Sequence, residues 1–109
     1  MEENTFAVRL RFARQRMGLT QSKLGTLIGL AESVSSPRIN RYERDSRQPS
    51  IATVARLSKV LEVSPSYFYE PDDLIAEVIL HLSNMSRNEI EIVLSRLVLS
   101  HPLGQKNQY

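Results

Sequence analysis

The sequence predicts an all-α protein, a bundle of short helices with one or two further helices at its C-terminal end. Three observations carry that expectation. Apolar residues recur three and four positions apart in successive stretches. Residues suited to helix caps stand just ahead of those stretches. No stretch alternates apolar and polar residues as a half-buried strand would. Hydrophobic residues make up 41% of the 109 positions, enough for a core. With no Trp and 6% aromatic residues, that core must be mainly aliphatic.

A first helix is expected over residues 5–17. Phe6, Leu10, Ala13 and Met17 share one face, and Thr5 is the expected cap. Gly18 stops the helix by tolerating a left-handed conformation. Thr20 caps a second helix over 21–28, whose apolar side is Leu24, Leu27 and Ile28. Gly25 lies inside it at a cost in helix propensity; a residue without Cβ there lets another helix approach closely. Gly29 ends the helix, and residues 30–36, small and polar, read as a turn. Pro37 suits the first turn of a third helix, where its missing N–H is not needed. That helix runs to about Arg44, with Ile39 and Tyr42 inward and Arg38, Asn40 and Arg41 outward.

After a loop over 45–49, Ser50 caps a fourth helix with Val54, Leu57, Val60 and Leu61 inside. Ser64 and Pro65 open a short fifth helix containing Tyr67 and Phe68, and Pro71 stops it. Asp72 caps a sixth helix over 73–82. Ser86 and Glu89 fit a capping box for a seventh over 87–100. Its apolar side is Ile90, Val93, Leu94, Leu97 and Val98, with Ile92 and Leu99 off the stripe. Pro102 and Gly104 break it, and 105–109 reads as a frayed polar tail.

The composition narrows the function. The absence of Cys removes disulfides, thiolate zinc sites and cysteine nucleophiles, and fits a reducing cytoplasm. The start MEENTFAVRL lacks the basic and apolar regions of a signal peptide. The most apolar stretch, 74–82, contains Glu77 and His81 and is too short to span a bilayer, so no membrane role is expected. His81 and His101 have no partners at ligand spacing, so no metal and no cofactor is expected. No nucleotide-binding loop or nucleophile elbow is present. Asp72 and Asp73 read as a cap and a first-turn acid, so no catalytic residue is assigned and an enzyme is not expected. The charge is uneven: residues 1–60 carry 11 Lys and Arg against 5 Asp and Glu, and residues 61–109 carry 3 against 7. Such asymmetry points the N-terminal part toward a polyanion.

A short helix, a polar turn and a helix with basic and amide side chains outside form the recipe for entering a major groove. That groove, about 12 Å wide, admits one helix; Arg donates twice to guanine, and Asn pairs both ways with adenine. The stretches RMGLTQSKLGTLIGL, RINRYERDSRQPS and ATVARLSKVLEVSPSYFY resemble the Xre and phage repressor–Cro family of helix-turn-helix proteins, over residues 6–68. The resemblance implies a five-helix repressor-like DNA-binding bundle with the third helix in the major groove. It implies that Gln21 touches phosphate and supports the reading helix. Ser36, Pro37 and Arg41 fall on base-facing positions, Asn40 reaches bases or backbone, and Ser46 and Arg47 contact backbone beyond the helix. Arg14 and Glu43 match a pair tying the first helix to the third. Ser35, Arg38 and Arg44 complete the expected DNA-binding set, with Arg9, Arg11, Arg16 and Lys23 as further phosphate candidates.

One departure stands out. The interval from Gly29 to Glu43 exceeds the family pattern by some four residues, which are expected as an insertion of Leu30 to Ser33 in the turn. The expected organisation is a DNA-binding domain over 1–70, a helical extension over 71–100 and a tail over 101–109. The extension is expected to form a homodimer through Leu94, Leu97 and Val98. The expected activity is regulation of transcription, by a repressor occupying a palindromic operator in double-stranded DNA. The alternative is an antitoxin-like or anti-regulator protein whose C-terminal helices grip a protein partner.

Overall fold

The computed structural model describes residues 4–104. In order they form α1 (Thr5–Arg16), α2 (Gln21–Leu27), α3 (Glu32–Glu43), α4 (Ile51–Leu61), a 3₁₀ helix (Pro65–Tyr69), α5 (Asp73–Ser83) and α6 (Arg87–Ser100). The expected tail over 105–109 lies outside the described residues. The all-α expectation holds among those described.

Most helix starts are the expected ones. Thr20 accepts from the Lys23 amide at 3.0 Å, and Ser50 from the Thr53 amide at 3.1 Å. Asp72 accepts from the Leu74 and Ile75 amides, and Ser86 with Glu89 completes the capping box. Each cap satisfies amides that have no partner within the first turn. The first helix differs by one residue: Asn4 caps it, accepting from the Ala7 amide, and Thr5 is already helical. Gly18 and Gly29 take φ of +70° and +96°, the stops expected of them.

Elements α1 to the 3₁₀ helix close around one core. Phe6, Leu10, Leu24, Ile39, Leu57, Leu61, Tyr67 and Phe68 are all buried there, and the Phe6 and Phe68 rings pack with centroids 5.0 Å apart. Leu27, expected on the inner side of α2, is 47% exposed instead. The fifth helix is 3₁₀ rather than α, a common form for so short a piece.

Helix α5 joins the core through Ile79 and Leu80, which pack against it, and through the Ser83 hydroxyl, which accepts from the Ser64 amide at 2.8 Å. Ala76 of α5 is buried in the core. Arg9, itself buried, donates through Nε and Nη2 to the Glu70 carbonyl at 3.0 and 2.8 Å, and lies 2.9 Å from the Asp73 carboxylate. Helix α6 buries no residue. The radius of gyration, 16.7 Å, exceeds the roughly 13 Å of a compact domain of about this length. The extra length lies along a 53 Å axis.

The largest correction concerns the third helix. It begins at Glu32, so the segment read as a turn is helical from 32 onward and only the short stretch before it remains irregular. The added interval is some four residues, close to the 3.6 of one turn, so an extra turn leaves Ile39 and Tyr42 facing the core. Ala31 at the N-cap makes no side-chain cap. Glu32 in the first turn complements the positive end of the helix, and the Ser35 hydroxyl donates to the Ala31 carbonyl at 2.9 Å. Pro37 therefore sits inside α3, not at its start, and offers no N–H to the Ser33 carbonyl. A helix-interior proline costs about 3 kcal/mol, so tertiary packing must hold this turn.

That packing is the approach of α2 to α3. A Cβ built at Gly25 would overlap the Ser35 Cβ and lie 2.6 Å from the Ser35 Cα. Ser35 is completely buried there. Gly25→Ala therefore forces the helices apart. Overpacking of this kind costs about 1–3 kcal/mol, read as a lower urea midpoint at unchanged slope. An unchanged midpoint contradicts the close approach.

Candidate nucleic-acid interface

The placement of α3 begins with a carboxylate. Glu43, 4% exposed, closes the helix against α1. Arg14 meets it in a two-pronged pair, Nε donating to Oε2 at 2.6 Å and Nη2 to Oε1 at 3.1 Å. Arg14 Nη1 donates to the Leu19 carbonyl, so the same guanidinium also holds the α1–α2 loop. Gln21, the first residue of α2, donates through Nε2 to Glu43 Oε1 at 3.2 Å and to Asn40 Oδ1 at 3.3 Å. Its Oε1 accepts from the Ser36 hydroxyl at 3.4 Å. One amide thus bridges the start of α2 to both ends of the lower half of α3. The planar fork of Arg matches a carboxylate in a way a lysine would not.

The expected DNA-facing residues divide into distinct groups. Arg41, Arg44, Ser46 and Arg47 are exposed, as is Pro37. Arg41 projects from the face opposite Ile39 and Tyr42, and Arg44 follows it one turn on. Ser46 is held by its amide and hydroxyl against the Arg41 carbonyl. Asp45 before it takes φ of +59°, which turns the chain out of the helix. Lys23 is exposed on α2. Gln21, Ser36 and Asn40 are half-buried and bound to one another, so Asn40 is not the freely projecting amide expected of it. Arg38 is half-buried as well, with its ε N–H enclosed and without a partner among the described residues.

Two expectations need correcting, and a third residue has a structural bond as well. Ser35 is buried against Gly25 with its hydroxyl committed to Ala31, so it cannot contact DNA. Arg9 is no free phosphate ligand: it is buried and spent on Glu70 and Asp73. Arg16, though exposed, donates to the Leu61 carbonyl at 3.3 Å and ties α1 to the end of α4. Conversely, Ser33 and Val34 stand exposed on the added turn of α3 and were not among the expected contacts. The signal was present in the length of the interval, one helical turn, but a stretch rich in Ser with a proline behind it reads as a turn.

Leu94, Leu97 and Val98, expected at a dimer contact, are each more than half exposed on α6. His81 lies 3.9 Å from Glu77 on the surface of α5. No group of three His, Cys, Asp or Glu side chains suited to a metal occurs among the described residues. No helix among them is long and apolar enough to cross a membrane.

A family model described as Helix-turn-helix matches residues 10–68, more than half of the chain. The chain is 27% identical over 93 residues to Repressor protein C2 of Salmonella phage P22, covering 85% of this chain and 41% of that protein. It is 31% identical over 81 residues to the HTH-type transcriptional regulator ImmR of Bacillus subtilis strain 168, covering 74% of this chain and 61% of that protein. The chain thus spans less than two thirds of the length of these curated relatives. The crystal structure of transcriptional regulator BswR superposes with a TM-score of 0.76 at 36% identity, covering 86% of this chain and 96% of that one.

The network predicts the effect of its removal. Glu43→Ala leaves the largely enclosed Arg14 guanidinium with only the Leu19 carbonyl, a loss on the order of 3 kcal/mol. Thermal melting should fall by more than 10 °C, at about 4–8 °C per kcal/mol for a chain of this size. Glu43→Gln, which keeps an acceptor, should lose less. Unchanged melting of Glu43→Ala contradicts the role given to this pair.

Proposed function

The chain belongs to the helix-turn-helix family, of the Xre and phage repressor–Cro type, and on that premise we propose that it is a sequence-specific double-stranded-DNA-binding transcriptional regulator. The observation that carries this reading is the outer face of α3. Arg41 and Arg44 project from it, Arg47 and Lys23 flank it, and none of these four is committed to an ion pair among the described residues. In the major groove, Arg41 is positioned for a guanine edge, and Arg44, Ser46 and Arg47 for phosphates on the side where the chain leaves the helix. Gln21, Ser36 and Asn40 support the helix from behind, within reach of the nearer backbone. Arg14 and Glu43 are structural. The role is one of binding rather than catalysis, exercised in the cytoplasm without a cofactor.

Repression by occupancy of a palindromic operator is the finer form of this proposal. Two-fold symmetric binding requires a second copy, and α6 leaves apolar surface uncovered. Leu94, Leu97 and Val98 lie within two turns of one helix, each 55–57% exposed. Ile75 and Val78 of α5 add to the same kind of surface. Covering these groups on a second copy stabilises a dimer through loss of apolar area from water. Pairing of this region with an unrelated protein is the second reading, favoured by the same exposed surface.

Selection of bound sequences from random duplex DNA, with sedimentation of the same protein, tests both levels. The expected outcome is an enriched palindrome and a dimer, with Leu94→Glu plus Leu97→Glu giving a folded monomer that binds the site far more weakly. No enrichment at low salt contradicts the DNA-binding proposal. A dimer that survives both substitutions places the interface elsewhere.

A further inference from the structure

The added turn of α3 carries chemistry that the arginine face does not. Its exposed side chains are Glu32, Ser33 and Val34, followed by Pro37 one turn later. There is no cation among them. Glu32 repels phosphate, so the turn has no side-chain charge that favours the DNA backbone.

Its rotational position points to the groove floor. Val34 and Arg41 are seven residues apart, so they lie within about 20° of each other around the helix. Pro37 stands between them, three residues from Val34 and four from Arg41, on the same side. Val34 is 40% exposed. A lone exposed valine carries no message. Here two compact apolar groups sit side by side on the face that presents Arg41. The turn bearing them is also fixed: Ser35 packs on Gly25 and bonds the Ala31 carbonyl. In helix-turn-helix proteins the N-terminal residues of the reading helix meet base edges, and this turn is now that N-terminus.

We propose that the added turn is a base-reading extension in which Val34, backed by Pro37, packs against the C5-methyl group of a thymine. The inference rests on the DNA-binding reading above and deepens it. The major groove presents one such methyl group per A·T pair, and small apolar side chains are its natural complement. The seven residue steps from Val34 to Arg41 span about 10.5 Å along the helix. With α3 along the groove, that distance is about three base pairs at 3.4 Å each. The methyl-reading position therefore lies about three pairs from the pair read by Arg41, outside the reach of a helix that began at Pro37.

The test uses the full chain and the DNA selected as above. Each thymine in the selected duplex is replaced singly by deoxyuridine, which lacks only the methyl group, and affinity is measured for wild type and Val34→Ala. Wild type should lose about fourfold at one thymine of each recognition unit, the equivalent of one buried methyl group. Val34→Ala should bind the thymine and deoxyuridine forms equally and keep wild-type helicity. Insensitivity of wild type at every thymine, a selected site without a preferred thymine, or the same penalty in Val34→Ala each overturns the assignment. Failure to enrich any sequence overturns the DNA-binding reading itself, which the deoxyuridine series on an enriched site does not.

Discussion

A carboxylate buried at the end of α3 governs how the rest of the interface is disposed. Glu43 accepts from Arg14 on α1 and from Gln21 on α2, so three helices meet at one group. A charge enclosed to this degree is tolerated only when its oxygens are filled by donors, and here both are. Because Arg14 also holds the Leu19 carbonyl, the loop between α1 and α2 is tied to the same point. The lower half of α3 is therefore placed by directional bonds as well as by the non-directional burial of Ile39 and Tyr42. That distinction matters for function. Apolar packing keeps α3 on the domain, whereas the bidentate pair and the Gln21 bridge set its rotation, and rotation decides which side chains face outward.

The upper half of α3 is held by a different device. No cap bonds its first turn, and a proline interrupts its ladder. What holds it is the absence of a side chain at Gly25, which lets Ser35 sit against the backbone of α2. The helix is thus clamped at two levels, by charge at one end and by close approach at the other. The chain between them is free to vary on its outer side, and that is the side a groove would meet. The conformational cost of Pro37 and of Gly25 is offset by this contact, so the two residues that weaken helices locally are accounted for together.

Much of this was legible in the residues. The capping residues before α2, α4, α5 and α6 follow directly from hydrogen-bonding chemistry, and the buried apolar set follows from its spacing. The Arg14–Glu43 pair came from resemblance rather than from periodicity, because no local pattern links residues so far apart in the chain. The start of α3 was misread because Ser, Ser and Pro favour turns in isolation; the tertiary contact with Gly25 overrides that preference. The commitment of Arg9 was also hidden. An arginine in a basic helix looks like a phosphate ligand until the Glu70 carbonyl and Asp73 arrive from the far side of the domain. Of the basic residues in the first half, position alone separates those that hold the fold from those that remain outward.

The proposed function implies a division of labour: Arg14, Gln21 and Glu43 would orient, Arg44, Ser46 and Arg47 attach, and Arg41 discriminate. The most direct measurement of that claim is the affinity of Arg41→Ala for a selected duplex, for its single-base-pair variants and for random duplex. The account predicts a loss of about 1–3 kcal/mol on the selected duplex, with preference erased at one base pair and random-sequence affinity nearly retained. An equal loss on every duplex would make Arg41 a phosphate ligand and contradict the claim that the outer face of α3 reads bases.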